Sequence, residues 1–416
     1  MVIVFKSLGN FADLLATLQY VSRFALDKYH RRPYCLLSAS RGLDELAPLQ
    51  NNKQGEKMKK IGKYVSALAT GALLITLASC GSDDGATESA DSSVAAATGT
   101  KCTEPLNIGV AAITMQSPAV TSMINTINRA AEILGWNVEV LDANGDPSKM
   151  EADISGFVNK GVDAILDIAE APAQAPLGMQ AAREKNIPIF NIGGPLVDPD
   201  GYFAATYAPD DEKMSILLAE QMVKDLENLG GKGVALSLDA SGIPALAIRT
   251  EVLARETAGK GITVKVNHET DMTNPVEDTI KAVSNYLQAN PDINIIFATQ
   301  DFEFVSSINA VASQGLQKTA VYSYYPVADA FQVMRDWKEG DAPIAAVDQP
   351  ITNVGWYAFD SLVNRCVGVE NWVTDMSLKE LPTTLVTPAN VPAEDTLPYE
   401  DFEPFFVERW TAAGQL

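Results

Sequence analysis

The chain has 416 residues, of which 47% are hydrophobic and 20% are charged, a composition typical of a globular protein with two or three domains. Its 53 acidic residues outnumber its 31 basic residues, which gives a net charge of −22. Because such a surface repels phosphates, the charge argues against nucleic acid as a partner.

The first recognisable feature along the chain lies at residues 58–79. Residues 58–63 form a basic cluster, and the apolar run of residues 64–79 ends in small side chains. This order is typical of a signal peptide, and the run is shorter than the roughly 20 residues of a membrane-spanning helix. Residues 58–79 are therefore predicted to be a signal peptide. Residues 1–57 are predicted to be a misassigned start or a disordered extension, and a cytoplasmic extension on a signal anchor is the less favoured alternative.

The signal ends in Leu77-Ala78-Ser79-Cys80, which resembles the lipobox of bacterial lipoproteins. In that motif the cysteine becomes the lipid-bearing first residue, so Cys80 is the predicted lipidation site. A buried helix that happens to end in cysteine is the alternative. Residues 80–104 are mostly small and polar, and they are predicted to form a flexible tether. The motif implies an exported protein, anchored by lipid to the outer face of the cell membrane or in the periplasm.

The chain contains four cysteines. Cys35 lies in the N-terminal extension and Cys80 is the lipidation candidate, which leaves Cys102 and Cys366. Because an exported protein folds in an oxidising compartment, these two are predicted to form a disulfide. Two unpaired thiols are the alternative.

From residue 106 onward, short apolar runs alternate with longer amphipathic stretches. The runs predict strands at 107–113, 137–142, 164–168, 188–192, 232–238, 263–266, 294–299 and 319–324. The stretches predict helices at 118–134, 147–160, 174–185, 210–229, 248–257, 276–289 and 305–314. Such alternation is typical of βαβ units around a parallel sheet, and two consecutive sets indicate two similar lobes. We therefore predict an α/β fold of two doubly wound parallel-sheet lobes.

Four segments together resemble the type I periplasmic binding proteins, and among them the branch similar to ribose-binding protein. They are Gly-Trp-Asn-Val at 135–138, followed by Asp142 and Asp146-Pro147; Asn-Lys-Gly-Val-Asp-Ala-Ile at 159–165; Asn-Ile-Pro-Ile at 186–189; and Asn-Pro-Asp-Ile at 290–293, followed by Asp301. The resemblance covers roughly residues 105–391 and rests on the order and spacing of these segments.

This resemblance implies that a solute binds in the cleft between the lobes, at the carboxyl ends of strands from both sheets, and that the lobes close by a hinge motion. It also implies a three-stranded hinge, with crossings near Pro209, Gln349 and Thr384. The expected N-terminal lobe comprises residues 105–208 and 350–384, and the expected C-terminal lobe comprises residues 209–349 and 385–416.

Motif position and strand-end geometry suggest nine ligand-binding residues. They are Gln116, Ser117, Asn191, Gly193, Arg249, Asp301, Tyr324, Tyr325 and Gln349. Four of them have a structural alternative: Asp301 could cap the following helix, Arg249 could be a solvated surface residue, and the two tyrosines could pack in the hinge.

The expected pocket departs from the family pattern in two places. Ala119 and Val120 stand where many members have aromatic residues, and residues 193–195 replace an Asp-Arg pair that grips sugar hydroxyls. The family default is a carbohydrate. The lost charges and the added tyrosines favour a less polar solute, such as an aromatic or nucleoside-like compound.

The resemblance implies an extracytoplasmic lipoprotein that captures a small organic solute by lobe closure and delivers it to an ABC importer. The alternative is a sensing lipoprotein that presents its ligand to a membrane receptor. We expect a monomer that contacts a membrane permease, with no cofactor or metal. Enzymatic activity is not expected, because residues 113–118 contain no glycine-rich phosphate loop and His268 is the only histidine after Cys80.

Overall fold

The computed structural model describes residues 101–194, 198, 200–315, 318–368 and 376–416. The predicted signal peptide, Cys80 and most of the predicted tether lie outside these residues. Within the described part of the chain, no helix is both long enough and apolar enough to cross a membrane.

Strands and helices alternate along most of the chain. In chain order, the strands are β1 Asn107–Ala112, β2 Asn137–Asp142, β3 Ala164–Ile168, β4 Ile189–Ile192, β5 Phe203–Tyr207, β6 Gly233–Asp239, β7 Ile262–Glu269, β8 Ile295–Ala298, β9 Ala320–Tyr324, β10 Ile344–Asp348 and β11 Thr384–Val386. The helices are α1 Pro118–Leu134, α2 Pro147–Lys160, α3 Pro176–Glu184, α4 Asp211–Lys224, α5 Pro244–Thr257, α6 Pro275–Ala289, α7 Asp301–Ser313, α8 Ala328–Asp336, α9 Val354–Val367 and α10 Glu403–Ala412.

Two mostly parallel sheets confirm the predicted α/β class. The first sheet has the order β2-β1-β3-β4-β5, and the second has the order β11-β10-β9-β8-β6-β7. Every strand pair is parallel except β10 with β11. Every residue of β3 and β6 is buried, because helices cover both faces of a parallel sheet.

Local sequence signals set the ends of the first helices. Ser117 caps α1 by accepting the N–H of Val120, and Asp146 caps α2 by accepting the N–H of Ser148. Gly135 and Gly161 end these helices in the left-handed conformation, with φ angles of 69° and 71°, which glycine adopts without steric cost. The two N-caps fix where each helix begins relative to the carboxyl end of the preceding strand. They thereby position the residues between strand and helix, which face the cleft.

The described residues pass between the two lobes four times. Three of these passes lie after β5, after β10 and before β11, near the predicted crossings. The fourth leads from β11 to α10, which packs on α9 of the first lobe through Phe406, Trp410 and Trp356. Trp410 also donates its Nε1–H to the carboxylate of Asp360 at 3.0 Å. This corrects the prediction that placed all of residues 385–416 in the second lobe.

A disulfide joins Cys102 to Cys366, whose Cα atoms are 5.0 Å apart. Beside it, the backbone N–H of Cys102 donates to the side-chain oxygen of Gln415 at 3.2 Å. The first described residues, the end of α9 and the C-terminus therefore meet on the first lobe.

Candidate ligand-binding cleft

A cavity of about 60 Å³ lies between the lobes, at the carboxyl ends of the central strands. Its lining is mixed. The polar side chains are Thr114, Ser117, Arg249, Gln300, Asp301 and Tyr325, and the apolar ones include Ile113, Val120, Met123, Ile243, Leu246 and Ile351. Both lobes contribute to each set, so the cavity depends on their contact.

Asp301 bridges the cleft. Its Oδ2 accepts hydrogen bonds from the Ser117 hydroxyl at 2.9 Å and from the Ala119 N–H at 2.8 Å, both at the start of α1. Its Oδ1 accepts the Phe302 N–H at 2.8 Å. Burial raises the pKa of Asp301, although these hydrogen bonds and Arg249 oppose the shift. A carboxylate from the second lobe is thus held at the positive end of a first-lobe helix.

A second contact closes the mouth of the cleft, far from the hinge. The side chain of Gln116 donates to Asn144 at 2.9 Å within the first lobe, and the Asn144 amide reaches the backbone carbonyl of Thr273 in the second lobe at 3.5 Å. Gly145 lies against Met272, so closely that a Cβ atom at position 145 would overlap the Met272 carbonyl. The lobes are therefore in a closed arrangement, and Gln116 supports the rim of the cleft and does not line the cavity.

Arg249 is buried in a network that belongs mainly to the second lobe. Its guanidinium pairs with Asp211 at 2.8 Å and donates to the Thr299 carbonyl at 2.5 Å. It also lies 4.3 Å from the ring centroid of Tyr324 and 5.2 Å from that of Tyr325. The surface alternative is thereby excluded, and most of the guanidinium's donors are used inside the protein.

The two adjacent tyrosines have different surroundings. Tyr324 is fully buried, and its hydroxyl shares a 2.6 Å hydrogen bond with Ser215, so it packs inside the second lobe and does not line the cavity. Tyr325 has a left-handed backbone, with φ of 49°, and lines the cavity. Its hydroxyl is buried and has no hydrogen-bond partner among the described residues.

Gln349 lies in the hinge and not in the cleft cavity. Its Oε1 accepts the N–H of Asp210 at 2.8 Å, and its Nε2 donates to the Thr383 hydroxyl at 2.7 Å. One side chain thereby joins the three hinge segments. The side-chain amide of Gln349 therefore holds the hinge segments together. The sequence had suggested a ligand contact for this residue.

The remaining predicted residues, Asn191 and Gly193, lie at the end of β4. Asn191 is buried beneath the loop, where it contacts Gly194. Gly193 lines the cavity with a left-handed φ of 68° and donates its N–H to the Tyr207 carbonyl at 2.7 Å. The cleft thus brings together Ser117, Gly193, Arg249, Asp301 and Tyr325 from the predicted set.

Comparison with known proteins decides the family. Residues 108–369 match the sequence model of the family described as "Periplasmic binding protein domain", which is more than half of the chain. The chain belongs to the type I periplasmic binding proteins. It is 24% identical over 259 residues to a ribose import binding protein of Bacillus subtilis, covering 62% of this chain and 81% of that protein. It is 26% identical over 299 residues to a xylitol-binding protein of Mycolicibacterium smegmatis, covering 68% and 75%.

Solved structures of this family share the fold. An ABC transporter solute-binding protein from Mycobacterium smegmatis with bound glycerol superimposes with a TM-score of 0.60, at 19% identity, over 70% of this chain and 99% of that one. A 5-methylthioribose transporter solute-binding protein from Thermotoga lettingae gives a TM-score of 0.60, at 18% identity, over 70% and 88%.

Buried carboxyl groups behind the cleft were not predicted. Asp167 and Glu170 are both fully buried on either side of the cavity-lining Ala169, and the N–H of Glu170 donates to Asp167 at 3.1 Å. Burial, and then the nearby Asp153, raise the pKa of Glu170 to about 8. Burial and Glu170 raise the pKa of Asp167. Among the described residues, no group of three or more His, Cys, Asp or Glu side chains is arranged to hold a metal ion.

A similar carboxyl group lies behind the cleft in the second lobe. Glu303 is fully buried and accepts hydrogen bonds from the Thr270 hydroxyl at 2.7 Å and from the N–H of Thr299 at 2.8 Å. Burial raises the pKa of Glu303 to about 7, although these hydrogen bonds oppose the shift. The cleft is therefore backed by acidic groups in both lobes, and burial favours their protonated, uncharged forms.

The Glu170 shift predicts a pH-dependent stability. The folded protein keeps a proton on Glu170 that the unfolded chain releases above about pH 4.5, so stability falls as pH rises from there to about 8. Glu170→Gln should therefore raise the free energy of unfolding by about 2 kcal/mol at pH 8, with little change at pH 5. Urea unfolding at both pH values measures this. The exposed control Glu184→Gln should leave the pH profile unchanged, and an equal effect of Glu170→Gln at both pH values would contradict the assignment.

Gly145 gives a test of the closed arrangement. Gly145→Ala should shift the lobes toward an open form by tenfold or more, because relieving the overlap with Met272 requires about 1.4 kcal/mol or more. Small-angle X-ray scattering should show a larger radius of gyration. Gly135→Ala is the matched control, since Gly135 has a similar φ of 69° but open space around it. Equal scattering from both variants would show that the contact does not limit closure.

Proposed function

We propose that this binding protein captures a sugar or polyol by lobe closure and delivers it to an ABC importer. The observation that carries the proposal is Asp301, a buried carboxylate at the contact between the lobes. Ribose, xylitol and xylose appear in the names of related binding proteins, which supports a solute rich in hydroxyl groups.

The cleft suits a neutral solute with hydroxyl groups and apolar faces. The carboxylate of Asp301 can accept from hydroxyls, while the hydroxyl of Tyr325 and the amide of Gln300 can donate to them. Met123, Leu246 and Ile351 provide apolar surface for the C–H faces of a ring. We also assign ligand contacts to Ser117, Gly193 and Arg249, which line the same cavity.

Binding requires the lobes to move. A cavity of about 60 Å³ is too small for a sugar, since ligand pockets in proteins typically have volumes of about 300–1,000 Å³. In our proposal the lobes open about the hinge, the solute enters, and Asp301 exchanges the hydrogen bonds from Ser117 and Ala119 for bonds to solute hydroxyls. The importer then recognises the closed, solute-bound form of the protein.

Export and anchoring complete the proposal. The signal at residues 58–79 and the lipobox-like Cys80 support lipid anchoring on the outer face of the membrane, with the tether of residues 80–104 holding the protein near a permease. We further propose that the protein acts as a monomer. We place the lobe boundaries near residues 208 and 349, as the hinge suggests. A sensing role toward a membrane receptor remains the alternative function, and permease and ATPase genes beside this one would favour transport.

A thermal-shift screen of the full-length chain tests the proposal. Sugars, polyols, nucleosides, amino acids and aromatic acids should be compared, and a ligand at about 100 times its Kd should stabilise the fold by about 2.7 kcal/mol. We expect a sugar or polyol to raise Tm, and Asp301→Ala to abolish that rise. A shift only with amino acids or aromatic acids would overturn the solute class. No shift with any compound would overturn the solute-binding role.

A further inference from the structure

A second and larger cavity adjoins the cleft. This side groove holds about 640 Å³ and runs between α1, the start of α8, the hinge after β10 and the C-terminal segment of residues 395–403. Its lining includes Asn125, Arg129, Phe331, Thr352, Trp356 and Tyr399. The volume is about ten times that of the cleft cavity, so it can hold a group that the cleft cannot.

The two cavities share one wall. Ala119, Tyr325 and Ile351 line both of them. Ala119 contributes only a methyl group there and is not fully buried. Tyr325 brings a buried hydroxyl that lacks a hydrogen-bond partner among the described residues. A small side chain and an unused hydroxyl at the boundary suit a solute that extends from one cavity into the other, with a polar atom at the junction.

The charge of the side groove limits what can enter it. Five carboxylates line it, and Arg129 is the basic residue among the described lining. Glu403 pairs with Arg129, while Asp395 pairs with Arg335 and Glu400 with Lys379, both outside the lining. Asp348 and Asp401 have no basic partner among the described residues, and burial raises the pKa of Asp348 to about 7. The groove therefore disfavours phosphate and carboxylate groups.

We propose that the solute is a glycoside, with its sugar in the cleft and a second, uncharged or cationic ring in the side groove. This inference rests on the proposed function, because it assumes that the cleft binds the sugar part. The Tyr325 hydroxyl donates to the oxygen that links the two parts, and Ala119 leaves room for the link. The half-buried ring of Tyr399 provides a surface for the second ring, and the nearly buried Phe331 and Trp356 form the floor beneath it.

Matched pairs of a free sugar and its glycoside test the inference by titration calorimetry on the full-length chain. The pairs are D-xylose with 4-nitrophenyl β-D-xyloside and D-galactose with 4-nitrophenyl β-D-galactoside. We expect the glycoside of one pair to bind at least tenfold more tightly than its free sugar. A 4-carboxyphenyl glycoside of the same sugar should lose most of that gain, because its carboxylate enters an acidic groove.

Variants in the side groove separate the two cavities. Thr352 lines the groove on its exposed side and does not line the cleft cavity. Thr352→Trp should therefore weaken glycoside binding at least tenfold and change free-sugar binding less than threefold, while Thr352→Ser should change neither. Asn125→Trp narrows the groove from the exposed face of α1 and should also affect only the glycoside. It provides the test if Thr352→Trp lowers Tm enough to impair folding. Tyr325→Phe should reduce the preference for the glycoside.

The outcomes distinguish the inference from the proposed function. Free sugars that bind as tightly as their glycosides would overturn the glycoside and leave the sugar-binding function standing. Equal losses for both members of a pair in Thr352→Trp and Asn125→Trp would also overturn it. If neither member of any pair binds, the sugar-binding function itself fails.

Discussion

Arg249→Met should lower the free energy of unfolding by about 3–5 kcal/mol, because it leaves the buried carboxylate of Asp211 without its partner. The variant also removes the hydrogen bond to the Thr299 carbonyl and the contact with Tyr324. Urea unfolding followed by circular dichroism measures the loss. A large loss of stability would show that the main role of Arg249 is to stabilise the second lobe, and that its place in the wall of the cleft is secondary.

The same helix provides a matched control for Arg249. Arg255 lies six residues later in α5, where it pairs with Glu212 and Glu256 while half-exposed. Arg255→Met should change the free energy of unfolding by less than about 1 kcal/mol, since exposed ion pairs contribute little. If the two methionine variants are equally stable and Arg249→Met only weakens solute binding, the buried network is not structural.

Replacing both Cys102 and Cys366 with serine should lower the free energy of unfolding by about 2–5 kcal/mol. The disulfide spans 264 of the 416 residues, so it closes a long loop in the unfolded chain, and it fastens the start of the described chain to α9. Guanidinium unfolding of the wild type and the double variant measures the difference.

Reductant provides the control for the disulfide. Dithiothreitol should bring the wild type to the stability of the double variant and leave the variant itself unchanged. A wild type that is insensitive to reductant under unfolding conditions would mean that Cys102 and Cys366 are unpaired thiols, which was the alternative from the sequence.

Periodicity predicted most of the strands and helices, and the elements that it missed have physical causes. Eight strands were expected, whereas β5, β10 and β11 were not. β10 is an Ala-rich run of five residues, and alanine has little preference for strands. β5 is an edge strand with partly exposed residues, and β11 has only three. The position of α10 depends on long-range packing of Phe406 and Trp410, which no local pattern records.

The site was predicted less completely than the fold. Motif spacing predicted that Ser117 and Asp301 lie just after strands, one in each lobe. In the structure these two side chains are in direct contact. Strand-end position does not give side-chain direction, which is why Gln349 is in the hinge and Tyr324 is inside the second lobe. A signal for the unpredicted acids was available, because Asp167 interrupts an otherwise apolar strand.

The contact between Cys102 and Gln415 on the first lobe has a consequence for engineering. Because Cys102 and Gln415 are hydrogen-bonded, fluorophores attached next to residues 101 and 416 would both move with the first lobe. Their separation would stay nearly constant as the hinge bends, so energy transfer between them would be a poor optical reporter. A sensor built from this scaffold needs one fluorophore in the other lobe, and the exposed turn at residues 259–261, between α5 and β7, offers an insertion point.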